Sequence, residues 1–291
     1  MRFAVFTASL PELAPAEAIE LLGELGFDGI EWRVVDQEHS PDGRPSFWRG
    51  NRCTWPLATF VEDAPTIRVM TERARLEMPC VGAYAECGDL PSVERALQGA
   101  ALLGATKMRV NVPRYDGTTS YLKLYDRARA EYREVAELSR RYGVRALIEL
   151  HHGRLLPTAT AAAHFLAGFD PRDVGVIHDA GNMVHEGFEH YRLGVEALGP
   201  YLAHVHLKNA AWRPVGTRKD GSTGWRAEWA PLREGMVDVA ALFRALRLVG
   251  YDEWITFEDF STEWPVRERT RDNLRYAKVI LARVDEERGV A

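Results

Sequence analysis

Two histidines and a lysine alternate along "AHVHLKNA", residues 203–210, so His204, His206 and Lys208 share one side of any strand formed there. Imidazole is a common metal ligand and also gains or loses a proton near neutral pH. An ammonium group two residues further on can bind a carboxylate, a hydroxyl or a phosphate. The segment therefore predicts a metal site or an acid–base site near the end of a strand.

Three carboxylates lie at equivalent places in other β-type segments. Glu149 is near the end of "RALIEL", Asp179 ends "VGVIHD", and Glu258 is near the end of "WITFED". If these strands lie side by side, the carboxylates converge, and buried like charges repel each other unless a cation holds them. An isolated residue of this kind is equally suited to a salt bridge or a helix N-cap. Together with His206, the set instead predicts one divalent metal ion bound by Glu149, Asp179, His206 and Glu258.

The predicted ligands are three carboxylates and one imidazole, which is a mostly hard, oxygen-rich set. This set favours Mn²⁺ in five- or six-coordination, with Mg²⁺ and Co²⁺ as alternatives. Zn²⁺ stays on the list because affinity alone favours it over Mn²⁺.

The segments that carry these residues belong to a regular alternation along the whole chain. Eight β-type runs, from "RFAVFT" to "WITFED", are each followed by a segment with helical apolar spacing. The pattern predicts a single (β/α)8 TIM barrel over residues 1–291. An open doubly wound sheet is the alternative, but "FTASLP" after the first strand lacks the glycine fingerprint of a dinucleotide site. In a barrel, the carboxyl ends of all strands form one face, which is where enzymes of this fold place their sites.

Two strand-to-helix connections are much longer than simple turns, namely residues 36–60 after the second strand and residues 209–236 after the seventh. They hold five of the eight tryptophans: Trp48, Trp55, Trp212, Trp225 and Trp229. The connections are predicted to be lids whose aromatic faces suit a sugar ring or an aryl group. The alternative is that the tryptophans only anchor long loops to the barrel.

The composition of the chain limits the kinds of molecule that it is expected to bind. The chain has 291 residues, 46% hydrophobic and 27% charged, with a net charge of −5. This acidic balance disfavours nucleic acid, and no apolar run approaches the roughly 20 residues that cross a bilayer. The start "MRFAVFT" lacks a leader pattern, and three cysteines form no metal-binding pair, so a cytoplasmic protein with a small-molecule partner is expected.

Several segments together resemble the xylose-isomerase-like sugar isomerase/epimerase superfamily. They are "GFDGIEW", "IEL", "HDAGN", "AHVHLKN" and "EGMVDVAALFRALRLVGYDEWITFED". The superfamily includes ketose 3-epimerases, inosose isomerases and dehydratases, and endonuclease IV. The resemblance implies a metal held by Glu149, Asp179, His206 and Glu258, with both glutamates acting on the substrate. It also implies that a homo-oligomer is to be considered.

Differences from the motifs of individual family members limit which of their activities this chain is expected to share. Endonuclease IV carries extra histidines for a three-zinc cluster, and the matching segments "CVGAYAEC", "MRVNVPRY" and "DAGN" contain none, which argues against DNA repair. Ketose 3-epimerases have a glutamate and a histidine where this chain has Leu155 and Asn182. Epimerisation of a free ketohexose at carbon 3 is therefore disfavoured.

The resulting hypothesis is a metal-dependent isomerase or epimerase of a ketose, inosose or keto-sugar. Glu149 and Glu258 would lie on opposite sides of the substrate, one removing the proton beside the carbonyl and the other returning one through a metal-stabilised enediolate. Elimination shares the first step, so a dehydratase or lyase acting on an inosose or keto-glycoside is the alternative. A sugar-binding barrel without turnover is a third hypothesis.

Further residues are assigned from their positions at the strand ends. Five are predicted to contact the substrate: Asn182, His185, Lys208, Arg213 and Phe6. For His185 and Arg213, an ordinary place in a loop is the alternative. His204 is predicted to lie below His206, and Glu31 is predicted to neutralise Arg109 inside the barrel.

Overall fold

The computed structural model describes residues 1–289, which contain eleven strands and nine α-helices. The strands are β1 (Arg2–Phe6), β2 (Gly29–Val34), β3 (Thr54–Trp55), β4 (Val81–Ala83), β5 (Lys107–Arg109), β6 (Arg145–Glu149), β7 (Val174–Asp179), β8 (Leu202–Leu207), β9 (Asn209–Thr217), β10 (Thr223–Ala230) and β11 (Trp254–Phe257). The helices are α1 (Pro15–Leu25), α2 (Phe60–Arg73), α3 (Leu90–Leu103), α4 (Tyr121–Tyr142), α5 (Ala159–Leu166), α6 (Ala180–His185), α7 (Tyr191–Leu198), α8 (Val239–Leu248) and α9 (Val266–Gly289).

Eight of the strands close into a parallel barrel in the order β1, β2, β4, β5, β6, β7, β8 and β11, and β1 pairs with both β2 and β11. The predicted (β/α)8 TIM barrel is confirmed. Helices end where the sequence supplies a residue that tolerates positive φ: Gly104 closes α3 and Gly143 closes α4, at φ of 87° and 66°. The glycine that follows each of these helices therefore specifies where the helix ends and the chain turns toward the next strand.

Strand register brings the predicted ligands to one end of the barrel. Asp179 on β7 is the direct partner of His206 on β8, and Thr256 on β11 is the partner of His206 on its other side. Glu149 ends β6, where it is paired with Ile177 of β7. The carboxyl ends of four adjacent strands thus present their last inward side chains at similar heights.

The barrel interior changes from apolar to polar along its axis. Its lower part holds a buried cluster of small and apolar side chains: Cys80, Leu147, Ile177 and Ala203. Glu31, His204 and Thr256 are fully buried, and His204 Nε2 lies within hydrogen-bond distance of both Glu31 Oε2 and Thr256 Oγ1. Buried polar groups are costly unless they have hydrogen-bond partners, and these contacts provide such partners. The three residues form a polar layer below the carboxylates at the strand ends.

Both long connections contain regular structure. Residues 36–60 include β3, which pairs with β2, and a short 3₁₀ helix. Residues 209–236 fold mainly as an antiparallel hairpin of β9 and β10. Its turn is built by Asp220, whose Oδ1 accepts a hydrogen bond from the Ser222 backbone N–H at 3.0 Å, and by Gly221 at φ of 84°. "KDGS" is a turn signal that could have predicted this hairpin.

None of the helices within residues 1–289 has both the length and the apolar composition that crossing a bilayer requires. This finding agrees with the sequence, in which apolar runs are short.

Gly82 on β4 lies against the fully buried ring of Phe6, which in turn stacks on His206 with centroids 5.7 Å apart. A Cβ at this position would meet Phe6 Cε2 at 2.0 Å. We expect Gly82→Ala to lower the free energy of unfolding by about 1–3 kcal/mol, measured by urea denaturation, because the ring must be displaced. Gly23→Ala is the control: nothing lies within 4 Å of its added methyl in α1, and it should stabilise by about 0.5–1 kcal/mol. Equal stability of the two variants would contradict the close packing at Phe6.

Candidate metal centre and cavity

Four side chains converge at the carboxyl end of the barrel. Glu149, Asp179, His206 and Glu258 are all buried and each offers one ligand atom within 4.8 Å of the others. His206 Nδ1 lies 3.4 Å from Glu149 Oε1, 3.8 Å from Asp179 Oδ2 and 3.7 Å from Glu258 Oε2. The structure therefore brings together the four residues that the sequence singled out as metal ligands.

The donor set fits a single divalent ion. Within residues 1–289, His206 Nδ1 has no hydrogen-bond partner although it is buried and surrounded by carboxylates. A buried nitrogen of this kind is costly unless something binds it. Three carboxylates and one imidazole nitrogen suit a metal that accepts mostly oxygen ligands.

Glu31 fixes the orientation of His206 from below. Its carboxylate accepts a hydrogen bond from His206 Nε2 at 3.2 Å and lies 3.0 Å from His204 Nε2. Burial alone would raise the pKa of Glu31, but the two histidines outweigh it and hold the pKa well below its usual range. Because Nε2 faces Glu31, Nδ1 of His206 is left to face the three carboxylates.

Arg109 binds Glu149 instead of Glu31. Its Nη1 donates to Glu149 Oε2 at 2.6 Å, and both side chains are buried. The predicted pairing of Glu31 with Arg109 is therefore wrong. β5, which carries Arg109, adjoins the β6 strand of Glu149, whereas Glu31 on β2 reaches across to His204 and His206 on β8.

Two neighbours orient the Glu149 carboxylate by hydrogen bonds. Besides Arg109, Asn182 donates from Nδ2 to Glu149 Oε1 at 3.2 Å and to the Leu150 carbonyl at 3.1 Å. Burial opposes ionisation of Glu149, but the charges of Arg109 and Lys208 outweigh it and keep its pKa well below the usual value. Burial dominates at Asp179 and raises its pKa. Asp179 Oδ1 also caps α6 by accepting from the Asn182 backbone N–H at 2.9 Å.

Lys208 lies among the carboxylates. Its Nζ contacts Glu258, lies 2.8 Å from Asp179 Oδ2 and lies 3.7 Å from Glu149 Oε1. It is also 5.3 Å from the ring centroids of Trp229 and Phe260. Lys208 therefore supplies one positive charge at the carboxylate cluster and links that cluster to an aromatic surface.

A cavity of about 400 Å³ opens above the cluster. It is lined by Trp48, Tyr84, Arg109, Asn111, Arg114, Glu149, His151, His152, Arg154, Asn182, Lys208, Trp229, Glu258 and Phe260. Two of the five loop tryptophans, Trp48 and Trp229, are among them. Trp55 instead packs against Trp32, and Trp212 Nε1 donates to the Val184 carbonyl at 2.8 Å.

Of the five residues predicted to contact substrate, the cavity lined by residues 1–289 includes Asn182 and Lys208 and leaves out the other three. Phe6 is fully buried beneath it, stacked on His206. The His185 ring stacks on His152 with centroids 4.3 Å apart and lies tilted against Trp229 at 4.4 Å, and both of these neighbours line the cavity. Arg213 is exposed on β9.

Sequence reasoning missed several lining residues. His151 and His152 directly follow Leu150 in "ELHHGR", and His152 Nδ1 lies 3.2 Å from Asn182 Oδ1. Burial lowers the pKa of His151 to about 3, so the ring is neutral at physiological pH. Phe260 lies two positions after Glu258 in "WITFEDF", on the same side of an extended segment, and this spacing could have predicted that it lines the site.

The pH dependence of metal binding follows from His206. Burial alone would lower its pKa, but Glu31 and Glu149 raise it to about 9. A nitrogen must lose its proton to bind a metal. For protein freed of metal by a chelator, we expect the apparent affinity for Mn²⁺ to rise about tenfold per pH unit between pH 6 and 8, and about one proton to be released per ion at pH 7. Calorimetry in two buffers of different ionisation enthalpy measures both, and an affinity independent of pH would contradict the assignment.

A family model described as xylose isomerase-like TIM barrel matches residues 19–280. Among curated proteins, an inosose dehydratase from Geobacillus thermodenitrificans is 23% identical over 129 residues. The match covers 43% of this chain, and the chain spans 43% of that relative's length.

Solved structures share the fold over nearly the whole chain. The 3-keto-D-glucoside 4-epimerase YcjR from E. coli has a TM-score of 0.70 and 17% identity, covering 96% of this chain and 99% of its own. The IolI protein with a bound zinc atom has a TM-score of 0.72 and 15% identity, covering 98% and 99%. At these identities the likeness supports the fold alone.

Proposed function

The chain belongs to the xylose isomerase-like TIM barrel family, and on this premise we propose that it is a divalent-metal-dependent isomerase or epimerase of a sugar or polyol ketone. The observation that carries the proposal is the convergence of three carboxylates and His206 Nδ1 at the floor of one cavity. The substrate class is a ketose, inosose or keto-sugar.

The proposed ion would be held by Glu149, Asp179, His206 and Glu258. When bound, it supplies Lewis-acid chemistry by polarising the substrate carbonyl and stabilising the negative charge that develops on oxygen. The oxygen-rich donor set favours Mn²⁺, and Mg²⁺, Co²⁺ and Zn²⁺ are alternatives.

Two glutamates carry the proton transfers in this proposal. Glu149 ends β6 and Glu258 follows β11, with β7 and β8 between them, and one oxygen of each lies within 4.8 Å of the other. One glutamate removes the proton from the carbon beside the carbonyl, which leaves an enediolate of the substrate. The other returns a proton to the opposite face, so an epimer or isomer forms and the two carboxyl groups have exchanged roles.

Neighbouring side chains prepare the glutamates for this task. Arg109 and Asn182 orient Glu149, and the charges of Arg109 and Lys208 keep it ionised, as a base requires. Lys208 also holds Glu258. The side chains at the cavity floor, among them Glu149, Lys208 and Glu258, are buried, which strengthens the electrostatic interactions between them.

The second candidate is a dehydratase or lyase that acts on an inosose or keto-glycoside. The inosose dehydratase among the relatives favours it. The first proton abstraction would be the same, but the second carboxyl group would protonate a leaving hydroxyl or glycosidic oxygen. The carbon–oxygen bond then breaks and an unsaturated ketone is released.

The experiment is solvent exchange in D₂O with the Mn²⁺-loaded protein and a panel of ketoses, inososes and keto-glycosides. We expect metal-dependent incorporation of deuterium at the carbon beside the carbonyl of at least one compound, detected by NMR. Recovery of an isomer supports the first candidate, and loss of water or an alcohol supports the second. Binding without exchange across the panel would contradict both and favour a sugar-binding barrel.

A further inference from the structure

One side of the cavity is an aromatic wall formed by Trp48, Trp229 and Phe260. The Phe260 ring lies 4.6 Å from Trp48 and 5.5 Å from Trp229, centroid to centroid. Phe260 is 4% exposed and Trp48 is 47% exposed, so the wall runs from the buried floor to the cavity mouth. Phe47 packs on Phe260 at 5.0 Å and on Trp48 at 6.4 Å, so it supports both ends of the wall.

The inner end of the wall reaches the reacting groups. Lys208 Nζ contacts Glu258 and lies 5.3 Å from the centroids of both Phe260 and Trp229. A ring bound between Glu149 and Glu258 would therefore cover only the inner part of the wall, leaving Trp48 for another group. The cavity of about 400 Å³ falls within the roughly 300–1,000 Å³ range of pockets that bind drug-sized ligands, so it has room for more than one ring.

The cationic side chains deep in the cavity are already paired, whereas Arg114, which also lines the cavity, is exposed. Arg109 and Lys208 each contact a carboxylate, and Arg154 binds both oxygens of Glu86 at 3.0 Å. Recognition of a phosphate needs cationic donors that are free to face it. The remaining donor at depth is Arg109 Nη2, which has no hydrogen-bond partner within residues 1–289 and suits an uncharged hydroxyl.

The geometry points to an uncharged two-ring substrate, a keto-glycoside whose sugar ring carries the ketone and whose aglycone ring lies against Trp48 and Phe260. This inference rests on the proposed function and selects glycosides from the broader class of ketones. Stacking of a flat or apolar ring face on these side chains supplies the preference.

The test compares the methyl and phenyl β-glycosides of 2-, 3- and 4-keto-glucose. Their kcat/KM for deuterium exchange is measured with the Mn²⁺-loaded protein, and their Kd is measured by calorimetry. For the ketone that reacts fastest, we expect kcat/KM to be at least about tenfold higher with phenyl than with methyl. Trp48→Ala should lower the phenyl value about tenfold more than the methyl value.

Trp225→Ala is the matched control, because Trp225 also belongs to one of the two long connections but is 51% exposed and is not among the residues that line the cavity. It should leave the ratio of the two substrates unchanged. Equal kcat/KM for phenyl and methyl glycosides, or equal losses for both in Trp48→Ala, would overturn the inference while leaving the proposed function in place.

Binding separates the two proposals when turnover fails. If no compound exchanges, the proposed function is contradicted, and the Kd values still decide whether Trp48 favours the phenyl glycoside. The 6-phosphate of the methyl glycoside tests the charge argument: we expect it to bind no more tightly than the methyl glycoside itself. Tighter binding of the phosphate, lost in Arg114→Ala, would overturn the assignment of an uncharged substrate.

Discussion

Glu149→Gln and Glu258→Gln are each expected to lower metal-dependent deuterium exchange by about 10²–10⁴-fold, because an amide cannot accept the proton that the carboxylate removes or returns. Both changes keep the size of the side chain, so the loss reports the missing proton transfer more than a change of shape.

The two variants should differ in stability. Glu149 is the buried ion-pair partner of Arg109, and removing one partner of a buried pair costs about 3–5 kcal/mol when the other charge is left unpaired. Lys208 contacts Asp179 as well as Glu258, so Glu258→Gln leaves the ammonium with a carboxylate nearby. We therefore expect Glu149→Gln to have the lower free energy of unfolding.

The measurement must separate catalysis from metal loss, since both residues are also proposed ligands. Exchange is measured at increasing Mn²⁺ until the rate no longer rises, and the bound metal is counted. Glu86→Gln is the control: Glu86 pairs with Arg154 near the rim, and its loss should change exchange by less than about threefold. Exchange within tenfold of wild type in a metal-saturated Gln variant would contradict the role of that glutamate.

The barrel and the clustering of the four candidate ligands could be predicted from the sequence because both depend on the short repeat of side-chain direction along a strand. Alternation along a strand fixes which side chains point inward, and it placed Glu149, Asp179, His206 and Glu258 on the inner side. Parity does not fix which inward side chains meet across the barrel. That depends on strand tilt and register, and for this reason the partner of Glu31 was predicted incorrectly.

The cavity walls were less accessible because they arise from the long connections. Trp225 and Trp229 have the same parity on β10, yet Trp225 is exposed and Trp229 lines the cavity. The difference is their distance from the barrel along the hairpin, which no local pattern encodes. Phe47 and Trp48 reach Phe260 from a connection more than 200 residues earlier in the chain, a contact set by closure of the barrel between β1 and β11.

Metal binding should respond in graded fashion to the two histidines of β8. We expect His206→Ala to abolish Mn²⁺ binding in calorimetry, because its Nδ1 is the one imidazole nitrogen that faces all three carboxylates. His204→Ala should weaken binding by about 10–100-fold, since His204 acts on the ligand through Glu31. His190→Ala, an exposed histidine before α7, should leave the affinity unchanged. Equal losses of Mn²⁺ affinity from His204→Ala and His206→Ala would contradict the prediction that His206 binds the metal and His204 lies below it.

The route through Glu31 has its own test. Glu31→Gln keeps an oxygen that can accept from His206 Nε2 but removes the negative charge, so it should weaken Mn²⁺ binding by about 10–100-fold. If His204 acts by orienting the Glu31 carboxylate, then His204→Ala should have little further effect on Mn²⁺ affinity in a protein that already carries Glu31→Gln. The double variant should therefore bind Mn²⁺ about as tightly as Glu31→Gln alone, because residues that act through one contact are not additive. Full additivity would mean that His204 and Glu31 support the metal ligand independently.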